Sequence, residues 1–115
     1  MPHDPRKLLY DMKQAADRIA IFVGSRTFDD FLADDLVRAG VERQFEIIGE
    51  AMTRLRKLAP DIAARVTDHA RISTFRNIVI HDYDAIDYTI MWSIILKHLP
   101  SLRRELDDLL QRPWP

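Results

Sequence analysis

Residues 36–55 read Leu-Val-Arg-Ala-Gly-Val-Glu-Arg-Gln-Phe-Glu-Ile-Ile-Gly-Glu-Ala-Met-Thr-Arg-Leu, and this stretch decides the fold class. Its apolar residues recur every three or four positions, as on an α-helix with one buried face: Leu36, Val37, Val41, Phe45, Ile48, Met52 and Leu55. A second stripe is charged and repeats at four-residue spacing, at Glu42, Glu46, Glu50 and Arg54. The stretch predicts a long amphipathic helix with one buried face and one exposed face.

The segments before this stretch also carry helix signals. Asp4 followed by Pro5 is a typical helix start, and three-to-four spacing of apolar residues then predicts a first helix over about 5 to 23, ended by Gly24. Thr27 with Asp30 three residues later resembles a capping box, which opens a second helical region from Phe28 to about Leu58. Asp34 and Asp35 allow a second helix to begin inside that region after a short turn.

The segments after this stretch predict further helices. A short helix is expected from Asp61 to Val66, and a third main helix from about His69 to Ile80 with Asp68 as its cap. A last helix begins near Asp84 and Asp87, and Pro100 kinks or breaks it. No stretch alternates like a strand, so we predict an all-α fold, an up-and-down bundle of four to five helices.

Composition sets the class of protein. The 115 residues suit one domain over residues 1–115, and 47% hydrophobic with 30% charged residues suits a folded chain with a polar surface. The net charge of −1 provides no global basic field for nucleic acid, so any RNA binding must be local. The chain has no cysteine and no apolar run near the ~20 residues that span a bilayer. These features favour a cytoplasmic protein with no membrane partner.

The densest group of reactive side chains lies in residues 75–83, Phe-Arg-Asn-Ile-Val-Ile-His-Asp-Tyr. On a helix, Arg76 and His81 are five positions and roughly 140° apart, whereas Asn77 and His81 are four apart and lie on one face. The Asn77 amide is therefore placed to hold the His81 imidazole in one tautomer. The long Arg76 side chain can reach round to the same solvent pocket.

This set suits phosphodiester transfer, in which a histidine moves protons and a guanidinium stabilises charge on phosphoryl oxygens. In RNA the internal 2′-hydroxyl can be the nucleophile, which requires no metal and leaves a cyclic phosphate. The reaction needs a base and an acid, and a two-fold homodimer would supply both as two copies of His81. Taken alone, the residues favour a plainer alternative, a capping or surface ion-pair role for Arg76 and His81.

The motif resembles the R-x4-6-H signature of the HEPN superfamily, and Arg76 to Tyr83 is similar to the RN-x3-H-x-Y form of its HepT-like toxins. Residues 41–51 resemble that family's second-helix pattern. Ile86-Asp87, Trp92 and the Leu-Pro-Ser-Leu of residues 99–102 resemble its tail. The resemblance extends from about residue 5 to residue 110 and implies a HEPN-like bundle.

The resemblance also implies a function. It implies a metal-independent endoribonuclease toxin of a type VII-like toxin–antitoxin pair, active as a homodimer, with Arg76 and His81 catalytic and Asn77 in the same site. The implied partner is an MntA-like nucleotidyltransferase antitoxin, and the implied substrate is RNA. In this family the motif tyrosine accepts AMP from the partner, which makes Tyr83 the implied AMPylation site. Phosphate beside Arg76 and His81 would occupy their pocket and exclude RNA.

Supporting residues are predicted on the long helix. Glu46 and Glu50 can reach across the bundle to orient Arg76, although a charged helix stripe is usually only solvated. His69 and His98 have no carboxylate or cysteine at metal-ligand spacing, so we predict no metal and no cofactor. Trp92, Phe45 and Phe75 are expected in the core.

Two functions of other classes stay open at this point. One is a non-catalytic helical module that docks a nucleotidyltransferase and serves as its substrate, which the net charge of −1 favours modestly. The other is a purely structural bundle, for which changes at Arg76 and His81 would have no effect.

Overall fold

The computed structural model describes residues 4–75 and 87–114, and every regular element in these two ranges is a helix. Their bounds in chain order are α1 Pro5–Val23, α2 Phe28–Ala33, α3 Asp35–Leu58, α4 Pro60–Ala63, α5 His69–Ile72, α6 Tyr88–Lys97 and α7 Leu99–Gln111. Four of them, α1, α3, α6 and α7, have ten or more residues. The predicted all-α bundle is confirmed, and α2, α4 and α5 are short helices within it. None of these helices is long and apolar enough to cross a membrane.

Helix α1 has the bounds that the sequence predicts. The Asp4 carboxylate accepts a hydrogen bond from the Arg6 backbone N–H at 2.8 Å, and Pro5 occupies the first turn, where its missing N–H has no cost. Gly24 ends the helix with a φ of 51°, a left-handed conformation that glycine adopts without strain.

The predicted helical region from Phe28 to Leu58 is divided into two helices at Asp34, one of the two arrangements that the sequence allows. Thr27 and Asp30 form a reciprocal capping box at the start of α2, with both hydrogen bonds at 3.1 Å. Asp34 is extended, with φ −113° and ψ 97°, and its carboxylate accepts from the backbone N–H groups of Leu36 and Val37. One aspartate thus ends α2 and caps α3.

The core lies between α1, α3 and α7. Gly40 lets α1 approach α3 closely, because a Cβ at that position would lie 3.1 Å from the Phe22 ring. The fully buried side chains of the core include Leu9, Met12, Ile19, Phe31, Val41, Phe45, Ile48, Met52, Leu55, Met91 and Leu106. From Val41 onwards the buried face of α3 is therefore the one that the sequence predicts, but Leu36, at the start of the predicted apolar stripe, is 82% exposed.

A polar contact also joins α7 to α1. Arg103 donates from Nε to the Asp17 carboxylate at 2.9 Å, and Lys13 donates to the same group at 2.8 Å. Partial burial alone would raise the pKa of the Asp17 carboxyl, but the hydrogen bonds from Lys13 and Arg103 hold that pKa below its ordinary value.

The segment before the motif differs from its prediction. The short helix after Pro60 ends at Ala63, three residues earlier than expected. Asp68 precedes α5 but makes no side-chain cap hydrogen bond, because its backbone is left-handed at φ 60°. The predicted continuous helix from His69 is wrong, since α5 ends at Ile72.

The physical reason for the early end of α5 lies in two hydroxyls. Ser73 and Thr74 donate from their side chains to the carbonyl oxygens of Ala70 and Arg71, both at 2.6 Å. Such local bonds compete with the backbone pattern of a helix. The remainder of the predicted helix, residues 76–80, lies outside the described residues.

The C-terminal half contains two helices in place of one. Asp87 caps α6, accepting from the backbone N–H groups of Thr89 and Ile90 at 3.0 and 3.3 Å. Helix α6 ends at Lys97, and Pro100 lies in the first turn of α7, where its ring is tolerated. Of the two outcomes expected for Pro100, a kink or a break, the structure has the break.

Candidate active site

The four motif residues with the most specific predicted roles, Arg76, Asn77, His81 and Tyr83, lie outside the described residues. The structure does describe both flanks of the motif, up to Phe75 and from Asp87 onwards. It also describes the whole of α3, which contains Glu46 and Glu50. The surroundings of the site can therefore be built from these three parts.

The chain before the motif packs against α3. The Phe75 side chain is 3% exposed, and its ring meets the edge of the Phe45 ring at 5.3 Å between centroids and 85° between planes. Two residues earlier, the Ser73 hydroxyl accepts from Arg56 at 3.0 Å, and its carbonyl accepts from the Thr53 hydroxyl at 3.3 Å. The chain that leads to Arg76 is thus fixed on α3, with Phe75 at the middle of the helix and Ser73 at its C-terminal half.

The chain after the motif returns to the same helix. The Tyr88 hydroxyl donates to Glu42 Oε2 at 2.9 Å, and its ring meets the edge of Phe31 at 6.0 Å. The Arg38 guanidinium lies 5.3 Å from the centre of the same ring, a cation–π contact. Burial raises the pKa of the Tyr88 phenol and the bond to Glu42 raises it further, so the phenol keeps its proton and acts as the donor.

Glu46 lies between these two contact regions. Glu42, Glu46, Gly49 and Thr53 are spaced by four, three and four residues, so they form one stripe along α3. Tyr88 contacts the stripe at Glu42 and Ser73 contacts it at Thr53. The Glu46 side chain is 29% exposed. Among the described residues its nearest cation is Arg43, at 3.7 Å, so these residues leave most of its hydrogen-bonding capacity unused.

Glu50 has a different environment. It lies outside that stripe, its side chain is 52% exposed, and it accepts from Arg54 at 2.8 Å on the same helix. Glu46 and Glu50 therefore have different surroundings, although both belong to the same four-residue repeat in the sequence. Only Glu46 lies between the two flanks of the motif.

A cleft of about 300 Å³ lies beside Phe75, between α5, α6 and α7. Its walls are largely apolar and include Ile72, Ile90, Ile94 and Leu99. Of these, Ile90 is 52% exposed. The cleft thus places an uncovered apolar surface next to the motif.

Within residues 4–75 and 87–114, no three His, Asp or Glu side chains lie close enough to hold a metal ion.

The family of the chain follows from comparison with known proteins. The family described as "Ribonuclease HepT-like" matches residues 12–109, which includes both flanks, the motif and α3. The chain belongs to the HepT-like ribonuclease family. The matched range also contains Arg76, His81 and Tyr83, the residues that carry the resemblance seen in the sequence.

Relatives over nearly the full chain agree with membership of the HepT-like family. A candidate RNase of Caldanaerobacter subterraneus subsp. tengcongensis is 32% identical, over 94% of this chain and 96% of that protein. A candidate RNase of Methanocaldococcus jannaschii is 29% identical, over 90% of this chain and 94% of its own. A candidate ribonuclease HepT of Thermococcus cleftensis is 29% identical, over 95% and 98%. No solved structure gives a significant match.

The sequence alone did not indicate the roles of Glu42 and Tyr88. Glu42 belongs to the charged stripe and was expected to be solvated, but it is half-buried and bonded to a residue 46 positions away. Nothing in the spacing connects the two positions. The one available signal was that Tyr88 follows Asp87, near which the sequence predicts the start of the last helix.

Proposed function

We propose that this HepT-like protein is an endoribonuclease toxin that cleaves RNA without a metal ion, using Arg76 and His81. The observation that carries the proposal is the family match across residues 12–109, because that match includes the motif in which these two residues stand. Contacts of both flanks with one stripe of α3 add support, since they hold the ends of the motif segment on a rigid helix.

The chemistry follows from the residue types. His81 takes the proton of a 2′-hydroxyl as its oxygen attacks the neighbouring phosphorus, and an imidazolium gives a proton to the departing 5′-oxygen. Arg76 binds the phosphoryl oxygens through its planar donor fork as their charge increases. Asn77 orients the imidazole. The products are a 2′,3′-cyclic phosphate and a free 5′-hydroxyl.

The acid and the base are supplied by a homodimer in this proposal, because each chain contributes one His81 to the motif. Exposed apolar side chains on α6 support the proposal that a second copy of the chain packs against this helix. On α6, Ile90 is 52% and Leu96 59% exposed, and Ile90 borders the apolar cleft beside Phe75. Sedimentation equilibrium should give twice the chain mass of 13.5 kDa, and a monomer would contradict the shared site.

The direct test is cleavage of single-stranded RNA by the purified wild-type protein with EDTA present. We expect cleavage at the same rate with and without EDTA, and 3′ ends that carry a cyclic phosphate. Abolition by EDTA would contradict the metal-independent mechanism. No cleavage under either condition would favour the second function, a non-catalytic helical partner and substrate of a nucleotidyltransferase.

Glu46 is proposed to hold the Arg76 guanidinium, and Glu50 is the matched comparison on the same helix. We expect Glu46→Gln to lower kcat for RNA cleavage about tenfold, because a hydrogen bond to a charged group contributes about 1.5–3 kcal/mol. KM should change little, since Glu46 does not touch RNA. Glu50→Gln, at a 52% exposed side chain, should leave both constants close to wild type. Equal effects of the two substitutions would show that Glu46 has no specific role.

We propose further that the chain pairs with an MntA-like nucleotidyltransferase antitoxin in the cytoplasm, where cellular RNA is its substrate. The partner would transfer AMP to Tyr83 and switch off the nuclease. The added phosphate would pair with Arg76 and His81 and exclude RNA from their pocket.

The modified tyrosine can be tested against two internal comparisons, because the chain has three tyrosines. After incubation with the partner and ATP, mass spectrometry should find AMP on Tyr83, and Tyr83→Phe should abolish the modification. Tyr10 is 47% exposed, so Tyr10→Phe is the matched control and should be modified like wild type. The Tyr88 hydroxyl is bonded to Glu42 and should remain unmodified. AMP on Tyr10 or Tyr88 would contradict the assignment.

A further inference from the structure

A second cleft lies on the far side of the Ser73 contact from Glu46. It has a volume of about 380 Å³ and includes the side chains of Thr53, Arg56, Lys57 and His69. Among the described residues that line it, none is acidic. A cleft with two fixed positive charges and an imidazole is therefore open to an anion.

The basic side chains of this cleft are not neutralised by the described residues. Arg56 donates one hydrogen bond to the Ser73 hydroxyl at 3.0 Å. Because this acceptor is neutral, the charge of Arg56 is not compensated, and its remaining N–H groups can bind another acceptor. Lys57 is exposed and makes no ion pair within the described part of the chain. His69 Nδ1 is buried without a hydrogen-bond partner, so its ring is not committed to another side chain.

The local charge differs from that of the whole chain. Residues 53–75 contain five arginines and lysines against two aspartates, a balance of +3, whereas the net charge of the protein is −1. The remaining residues therefore carry −4. The segment that leads into the motif therefore has a net positive charge, and two of its cations, Arg56 and Lys57, line the cleft.

The cleft is close to the proposed catalytic residues by chain connectivity alone. Arg56 binds Ser73, which stands three residues before Arg76, and three residues span at most about 11 Å. Along α3, Arg56 follows Glu46 by ten residues, or about 15 Å. A strand of RNA with one phosphate at Arg76 can therefore reach the cleft with a neighbouring phosphate.

We infer that this cleft binds a backbone phosphate of single-stranded RNA next to the bond that is cleaved, with Lys57, Arg56 and His69 as donors. The inference rests on the proposed function and adds to it a second point of substrate binding. It also explains how a chain of net negative charge binds a polyanion, because phosphate contacts need only local cations. The phosphate position, and not a base, is what such a cleft recognises.

The test measures binding alone, with a fluorescent single-stranded RNA whose 2′-oxygens are methylated so that it is not cleaved. Fluorescence anisotropy is recorded over a range of salt concentrations for wild type, Lys57→Gln, His69→Gln and Arg104→Gln. Arg104 is an exposed cation on α7 and is the control with the same loss of charge. Circular dichroism confirms that each variant is folded.

We expect Lys57→Gln to raise Kd about three- to tenfold at low salt and to lower the slope of log K against log salt by about 0.7, the value for one lost single-strand contact. His69→Gln should also raise Kd, and Arg104→Gln should behave like wild type. Equal slopes for wild type and Lys57→Gln would overturn the phosphate site. The proposed nuclease activity is tested in a separate experiment with unmodified RNA, so its failure can be distinguished from failure of the phosphate site.

A free inorganic anion is the alternative ligand for this cleft, because it has the same phosphate chemistry as the RNA backbone. Inorganic phosphate at matched ionic strength should displace the RNA only weakly, because it occupies one contact of several. Displacement of RNA by micromolar inorganic phosphate would show that the cleft is a site for the free anion and would overturn its assignment to RNA.

Discussion

Replacing His81 with alanine is expected to lower the rate of RNA cleavage by about 10²- to 10⁴-fold, the usual contribution of a general acid or base. The expected loss lies toward the upper end of this range, because a symmetric dimer would lose the base and the acid in one substitution. Rates should be measured with wild type and His81→Ala on the same RNA with EDTA present.

His98→Ala is the matched control for this experiment. His98 is exposed at the junction of α6 and α7 and makes no side-chain hydrogen bond in the described part of the chain, so its removal should leave cleavage near the wild-type rate. If His81→Ala and wild type cleave equally, the catalytic assignment of the motif is wrong. If both histidine variants lose activity together, the defect lies in folding or assembly.

The largest expected effect on stability comes from Phe45→Ala. The Phe45 ring is 1% exposed in the centre of α3, and removing such a ring costs about 3–5 kcal/mol of unfolding free energy. The substitution also removes the edge contact that fixes Phe75, the residue before Arg76. Urea denaturation should therefore show a large decrease in the unfolding midpoint, and cleavage should fall even below the melting transition.

Phe22→Ala provides the comparison for this prediction. Phe22 is only half-buried at the end of α1, so its removal should cost clearly less than removal of Phe45. A similar loss of unfolding free energy for the two variants would contradict the prediction, because Phe45 buries more of its ring than Phe22. A Phe45 variant that is strongly destabilised but fully active when folded would show that the Phe45–Phe75 contact is not needed for cleavage.

The sequence predicted most of the fold because the signals involved are local. Asp4, Pro5 and Gly24 set the bounds of α1 through caps that act within one turn, and Thr27 with Asp30 does the same for α2. The helix from His69 was predicted too long for a related reason. Hydroxyl bonds from Ser73 and Thr74 to the preceding turn compete with helix formation, and apolar spacing does not detect that competition.

The candidate site was predicted in part. Arg76, Asn77, His81 and Tyr83 are identified by their order and spacing in one short motif, and their roles stay predictions because the structure does not describe them. Glu46 and Glu50 were indistinguishable in sequence, since each is a glutamate in one four-residue repeat. Only the positions of Ser73 and Tyr88 on α3 separate them.

The sequence by itself determined the helical class, most helix ends, the face of α3 that is buried, and the motif that places the chain among HepT-like ribonucleases. These depend on the period of the helix, on caps and on residue order, all of which act over a few residues. The tertiary structure decided which polar groups meet. Glu42 accepts a hydrogen bond from the Tyr88 hydroxyl, 46 positions away in sequence. The basic cleft is lined by residues of α3 and by His69 of α5. Such pairs depend on how whole helices pack, because several side chains on each helix are locally equivalent and only packing selects among them.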